Sequence, residues 1–85
     1  MRDVIVVTMS DHVQTERSGA VVTIRMARPE KKNALTVEMY RGMTVALSDA
    51  RHDPGVRAIL IAGAGGAFTS GNDLRDFAAT PPVDE

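Results

Sequence analysis

Val56-Arg57-Ala58-Ile59-Leu60-Ile61-Ala62 is a nearly unbroken apolar run in which Arg57 is the only charge. Asp53-Pro54-Gly55 precedes it and Gly63-Ala64-Gly65-Gly66 follows, so turn-forming residues bound it on both sides. Its length suits a strand, and the lack of polar alternation means that both faces need cover. A parallel sheet with helices packed over it meets that need, which makes the fold class α/β.

The segment upstream supplies the helix. Met39, Tyr40, Met43, Ala46, Leu47 and Ala50 recur at spacings of three and four, giving one apolar stripe that is expected to be core. Thr36 is placed to cap it, Glu38 lies in the first turn, and Asp53-Pro54-Gly55 stops it. Before the helix, Val13 to Met26 reads as a β-hairpin turning at Ser18-Gly19. On its return strand Val22, Ile24 and Met26 share the face expected to meet the core. Strand, helix and strand form a βαβ unit, with a right-handed crossover expected.

The ends carry separate expectations. Asp3 to Thr8 has strand character, yet Met9-Ser10-Asp11 reads like a chain start. Residues 1–11 are therefore expected to be an N-terminal extension and residues 12–78 the domain. Asn72 or Asp73 can cap a short helix through Leu74, Phe77 and Ala78, and residues 79–85 are expected to be a frayed tail. No repeat or internal boundary divides the chain.

Composition excludes several classes. Eighty-five residues bury only about 60–65% of the unfolded surface, so the stability margin is thin. A net charge of −1 lacks the basic patch of a general nucleic-acid binder. With no cysteine there is no disulfide, thiolate metal site or thiol nucleophile. Val4 to Val7 is too short for a signal-peptide core or a membrane span, and a soluble, cytoplasmic protein is expected. His12 and His52 are isolated from other metal-ligating residues, so no metal is expected.

Two loops at helix starts carry the candidate chemistry. The glycine-rich stretch Gly63 to Gly71 can bring amides near Ser70 to Asp73 up to a carbonyl oxygen or a phosphate, or it can simply turn the chain. Arg28, Lys31 and Lys32 in the earlier loop can meet phosphates or remain solvated. A dinucleotide fingerprint fails because Phe68 stands at the third glycine position after Gly63 and Gly65. No Gly-Lys-Ser/Thr follows the glycines, so a P-loop is absent too. The acidic residues form no convincing acid–base pair.

Taken together, Arg28-Pro29-Glu30-Lys31-Lys32-Asn33-Ala34-Leu35-Thr36, a helix, and Val56 through Gly63-Ala64-Gly65-Gly66-Ala67-Phe68-Thr69-Ser70-Gly71-Asn72-Asp73-Leu74 resemble the N-terminal portion of the crotonase superfamily. The resemblance covers roughly residues 12–78. It implies part of a ββα spiral, a trimer-based homo-oligomer, and an acyl-CoA or enoyl-CoA thioester as partner, with no cofactor beyond the CoA of the substrate. It further implies that two backbone N–H groups stabilise an enolate-like anion. Such donors favour the charge that develops on the thioester oxygen, and losing one costs about 3 kcal/mol in the barrier.

By residue, the resemblance gives Ser70 as the first of those N–H donors. Ser70, Gly71, Asn72, Asp73 and Leu74 match the segment lining the adenine and pantetheine side of the pocket. Lys32, Ala34 and Leu35 match the earlier CoA-contacting loop. Asparagine at position 72 leans towards the Δ3,Δ2-enoyl-CoA isomerase branch. The second donor and the catalytic glutamates come later in the family, and Glu16, Glu30, Glu38 and Glu85 match no catalytic position. Three expectations follow: a partial enzyme, inactive alone; a non-catalytic, self-associating binding module; or, against the broken fingerprint, a small nucleotide binder.

Overall fold

A computed structural model describes residues 5–79. The chain forms β1 (Ile5–Ser10), β2 (Val13–Ser18), β3 (Val21–Met26), a 3-10 turn over Pro29–Lys31, α1 (Val37–His52), β4 (Ala58–Gly63) and α2 (Leu74–Ala79). One four-stranded sheet runs in the order β1-β2-β3-β4. The first two pairings are antiparallel and β3 pairs parallel with β4. The mixed α/β arrangement of hairpin, helix and parallel strand agrees with the sequence pattern.

Register decides which side chains share a face. Val13 opposes Met26, Thr15 opposes Ile24 and Arg17 opposes Val22, all on the side that α1 covers. Val13, Ile24, Met26 and Met39 are almost completely buried there, joined by Leu35, Ala46 and Ala50. The helix begins as its sequence requires. Thr36 is extended, and its Oγ1 accepts the Met39 N–H at 3.0 Å. At the other end, Arg17 Nη1 donates to Asp53 Oδ2 at 2.6 Å, tying the hairpin to the helix C-cap.

Three core expectations are revised. Beyond the hairpin, β1 pairs along β2 from Ile5 to Ser10, so a segment expected to precede the domain lies in its sheet. Ser10 packs over Gly42 of α1, where a Cβ would stand only 2.9 Å from the Ser10 hydroxyl. Tyr40 and Leu47 lie at the margins of the helical stripe and are exposed, while Val37 and Gly42 are buried. Finally, β4 is not covered on both faces. The helix crosses β1, β2 and β3, leaving β4 at the sheet edge. Leu60 is 56% exposed on the open face, and Ile61 is 42% exposed beyond the reach of α1. Of the frayed tail expected over residues 79–85, Ala79 ends α2 and residues 80–85 lie outside the described residues, as do residues 1–4.

Candidate functional site

The two loops singled out by the sequence meet at the end of the sheet where β3 and β4 finish. Asn33 joins them. It is fully buried, with a left-handed backbone (φ 55°) that asparagine tolerates better than most residues. Its Oδ1 accepts the Arg28 N–H at 2.8 Å. Its Nδ2 donates to Ala64 O at 2.8 Å and Ala67 O at 2.9 Å, so one side chain holds both loops. The Thr69 hydroxyl donates back to Asn33 O at 2.6 Å.

An ion pair reinforces this clamp. Arg28 Nη1 donates to Asp73 Oδ2 at 2.8 Å and to Ala34 O at 3.0 Å, with both charged side chains largely buried. The other Asp73 oxygen accepts the Asp76 N–H at 3.0 Å at the start of α2. That backbone bond, followed by the Arg28 guanidinium, holds the Asp73 carboxyl below its ordinary value. Asp76 Oδ2 in turn accepts the Val37 N–H at 2.7 Å, fixing α2 to the first turn of α1.

Within this frame the amides have distinct fates. Ser70 N–H donates to Lys32 O at 3.0 Å, and its hydroxyl is turned to Lys31 O at 3.4 Å. The expectation that Ser70 supplies a free anion-binding N–H is therefore corrected: the neighbouring loop has taken that donor. Gly71 N–H donates to Thr69 Oγ1 at 3.1 Å. Leu35 and Asn72 form an isolated parallel bridge, in which Leu35 N–H donates to Gly71 O and Asp73 N–H to Leu35 O, each at 2.8 Å. Those flanking bonds point towards Leu35, so by strand alternation the Asn72 N–H points away. Among the described residues it has no hydrogen-bond partner.

The other expected site residues divide in two. Leu35 is a core side chain and Asp73 has both oxygens engaged within the protein, so their part is to position the loops. Lys32 is exposed, as are Ser70, Asn72 and Leu74, and Ala34 and Gly71 are half-buried. Lys32 lines a recess with Pro29, Ala64, Gly66 and Ala67, directly beside the glycine-rich turn. Arg28 and Lys32 were alike in the sequence as loop cations, but Arg28 is an internal strut and Lys32 faces the recess. The clamping role of Asn33 is not evident from the local sequence. The available signal was an asparagine closing a polar turn, a residue type enriched at left-handed positions.

Among the described residues no glutamate is brought to this site as a base. Glu16 pairs with Arg25 at 2.8 Å and Glu38 lies 3.8 Å from Arg41, while Glu30 is exposed in the 3-10 turn. Among the described residues no cluster of three histidine, aspartate or glutamate side chains could hold a metal. Nor is any helix there long and apolar enough to cross a membrane.

The comparison with known families decides the relationship. A family profile described as enoyl-CoA hydratase/isomerase matches residues 16–85. The chain belongs to that family. It is 41% identical over 69 residues to enoyl-CoA hydratase EchA19 of Mycobacterium tuberculosis, an alignment spanning 81% of this chain and 26% of that protein. Rat enoyl-CoA delta isomerase 2 is 42% identical over 59 residues, spanning 69% and 15% respectively. The structure of Pseudomonas aeruginosa OdaA superposes with a TM-score of 0.79 at 46% identity, covering 87% of this chain and 30% of that one. The chain thus spans about a quarter of the hydratase's length and less of the isomerase's. Similarity is as high to one as to the other, so these family members do not separate the two reactions over this region.

Proposed function

We infer that these residues form part of an acyl-CoA site, in which the Asn72 main-chain N–H is one of the donors facing the thioester oxygen. The observation that carries this reading is the Asn72 N–H, which has no partner among the described residues and is held in place by the bonds of Gly71 O and Asp73 N–H to Leu35. A donor fixed before the reaction loses little on reorganising, and it favours a developing oxyanion over a neutral carbonyl. Lys32, beside the recess, supplies a cation for the phosphates of CoA.

One donor without a base does not complete an enolisation. The second donor and the proton-transferring carboxylates are assigned to polypeptide outside these 85 residues, and the chain alone is expected to bind without turnover. The homo-oligomer expected from the resemblance belongs to this proposal as well. Whether the whole assembly acts as a hydratase or an isomerase depends on those other residues.

Calorimetric titration of the chain with acetyl-CoA tests the binding. Saturable heat that is weakened when the phosphates are absent, as with acetyl-pantetheine, is the expected result. Equal heats for the two ligands, or none, would overturn the reading.

A second reading rests on the uncovered apolar surface of Leu60, Ile61, Phe68 and Leu74, of which Leu74 is 81% exposed. On that reading the chain is a self-associating, non-catalytic module. Light scattering discriminates, because a monomer that stays compact and soluble at high concentration contradicts it.

A further inference from the structure

Tyr40 and Asn72 are both exposed, yet they are joined: the Tyr40 hydroxyl donates to Asn72 Oδ1 at 2.7 Å. Tyr40 is itself held from the side, its ring meeting Phe77 of α2 edge-on with centroids 5.8 Å apart. A carboxamide whose oxygen is occupied presents its two N–H bonds elsewhere. Here that carboxamide belongs to the residue whose own main-chain N–H has no partner among the described residues, and covalent geometry keeps the two donors close together.

We propose that the Asn72 carboxamide, oriented by the Tyr40 hydroxyl, is an additional donor to the thioester carbonyl and makes this site prefer a CoA thioester to free CoA. The proposal rests on the acyl-CoA reading above. Asn72 is then a specificity-determining residue, and Tyr40 a positioning residue that acts through it. Free CoA ends in a thiol and has no thioester carbonyl oxygen for these donors, whereas both ligands carry the same phosphates to Lys32.

NMR titration of the ¹⁵N-labelled chain with acetyl-CoA and, separately, with CoA tests this. Lys32 and Gly66 resonances should respond to both ligands. The Asn72 main-chain N–H and its side-chain NH₂ pair should respond to acetyl-CoA alone. Tyr40→Phe keeps the ring against Phe77 and should retain the main-chain response, lose the side-chain response, and lower the preference for acetyl-CoA about fivefold, as for one neutral hydrogen bond. Asn72→Ala keeps the main-chain donor and should lower the preference by a similar factor, which guards against misfolding of the first variant. A main-chain response with a silent side-chain pair, or an unchanged preference in both variants, would overturn the proposal while leaving the acyl-CoA reading intact. Silence of Lys32, Gly66 and Asn72 towards both ligands would overturn the two together.

Discussion

The Arg28 guanidinium reaches across 45 positions of sequence to the Asp73 carboxylate, and the two charges meet at 2.8 Å with little solvent around them. Neither side chain is free for a ligand. Removing Arg28 strands a carboxylate that is otherwise paired, and it also frees Ala34 O. Arg28→Ala should therefore lower the melting temperature by several degrees. Arg57→Ala, at an exposed position, should change it little. Thermal unfolding followed by circular dichroism compares the two.

The same carboxylate gives the fold an acid limit. Asp73 is lowered by the Asp76 N–H and then by Arg28, and Asp53 by Arg17 and then by the Gly55 N–H. Because both folded-state values lie below the unfolded one, the unfolded chain takes up protons first as pH falls. Their contribution is fully present above the ordinary aspartate value of about 3.9 and is lost as pH falls from there through the folded values. Urea midpoints should be flat above about pH 5 and drop below about pH 4. Asp73→Asn should be less stable at neutral pH and should show a shallower acid decline.

Asn33 combines a backbone demand with three side-chain bonds, and substitutions can separate the two. Asn33→Gly removes the bonds but accepts φ 55°. Asn33→Ala removes the same bonds and adds left-handed strain of roughly 1–2 kcal/mol. The glycine variant should be destabilised by about 3 kcal/mol or more, since the Arg28 N–H and the Ala64 and Ala67 carbonyls all lose a partner. The alanine variant should lie below it by the strain alone. Urea denaturation of both reads the difference directly, and equal stabilities would show that φ carries no cost here.

The contrast between α1 and the loops explains what was legible in the sequence. Periodicity, Thr36 and Asp53-Pro54-Gly55 are local signals, so the helix, its cap and its stop were readable, as was the alternation that buries Val22, Ile24 and Met26. The positions of the two loops were readable for the same reason. Which amide remains free was not, because Ser70 N–H is engaged by Lys32 O, a partner from the other loop. Tyr40 shows the limit of the stripe argument, since three- and four-residue spacing does not say how wide the covering sheet is. For β4, an apolar composition signals a need for cover. It does not say whether this stretch of chain provides it.

Gly63 is a stricter constraint than its neighbours in the glycine-rich turn. A Cβ there would lie 2.3 Å from Phe68 O and 2.5 Å from Ala67 O, both main-chain atoms that cannot swing aside. It would also crowd Asn33 Nδ2 at 2.8 Å. Gly63→Ala should push the turn off β4, disrupt the Asn33 clamp and destabilise the protein by the 1–3 kcal/mol typical of overpacking. Gly66 has open space where its Cβ would be, so Gly66→Ala should change stability by less than about 0.5 kcal/mol. Comparing the two variants by denaturation separates close packing from a general need for flexibility.

Lys32 separates ligand attraction from loop architecture. Its carbonyl accepts the Ser70 N–H and its φ is 50°, so its backbone belongs to the clamp while its side chain lies at the recess. Lys32→Gly keeps the carbonyl and relieves the left-handed conformation, and it should fold normally with weaker binding of acetyl-CoA. Lys32→Glu reverses the charge facing the phosphates and should weaken binding further, roughly tenfold or more relative to the native chain. Added salt should erode native binding more than binding by Lys32→Gly, because screening acts on the attraction that the lysine supplies. Titrations at low and physiological ionic strength check this. A Lys32→Gly variant with native affinity and native salt dependence would remove Lys32 from the site while leaving its place in the clamp unchanged.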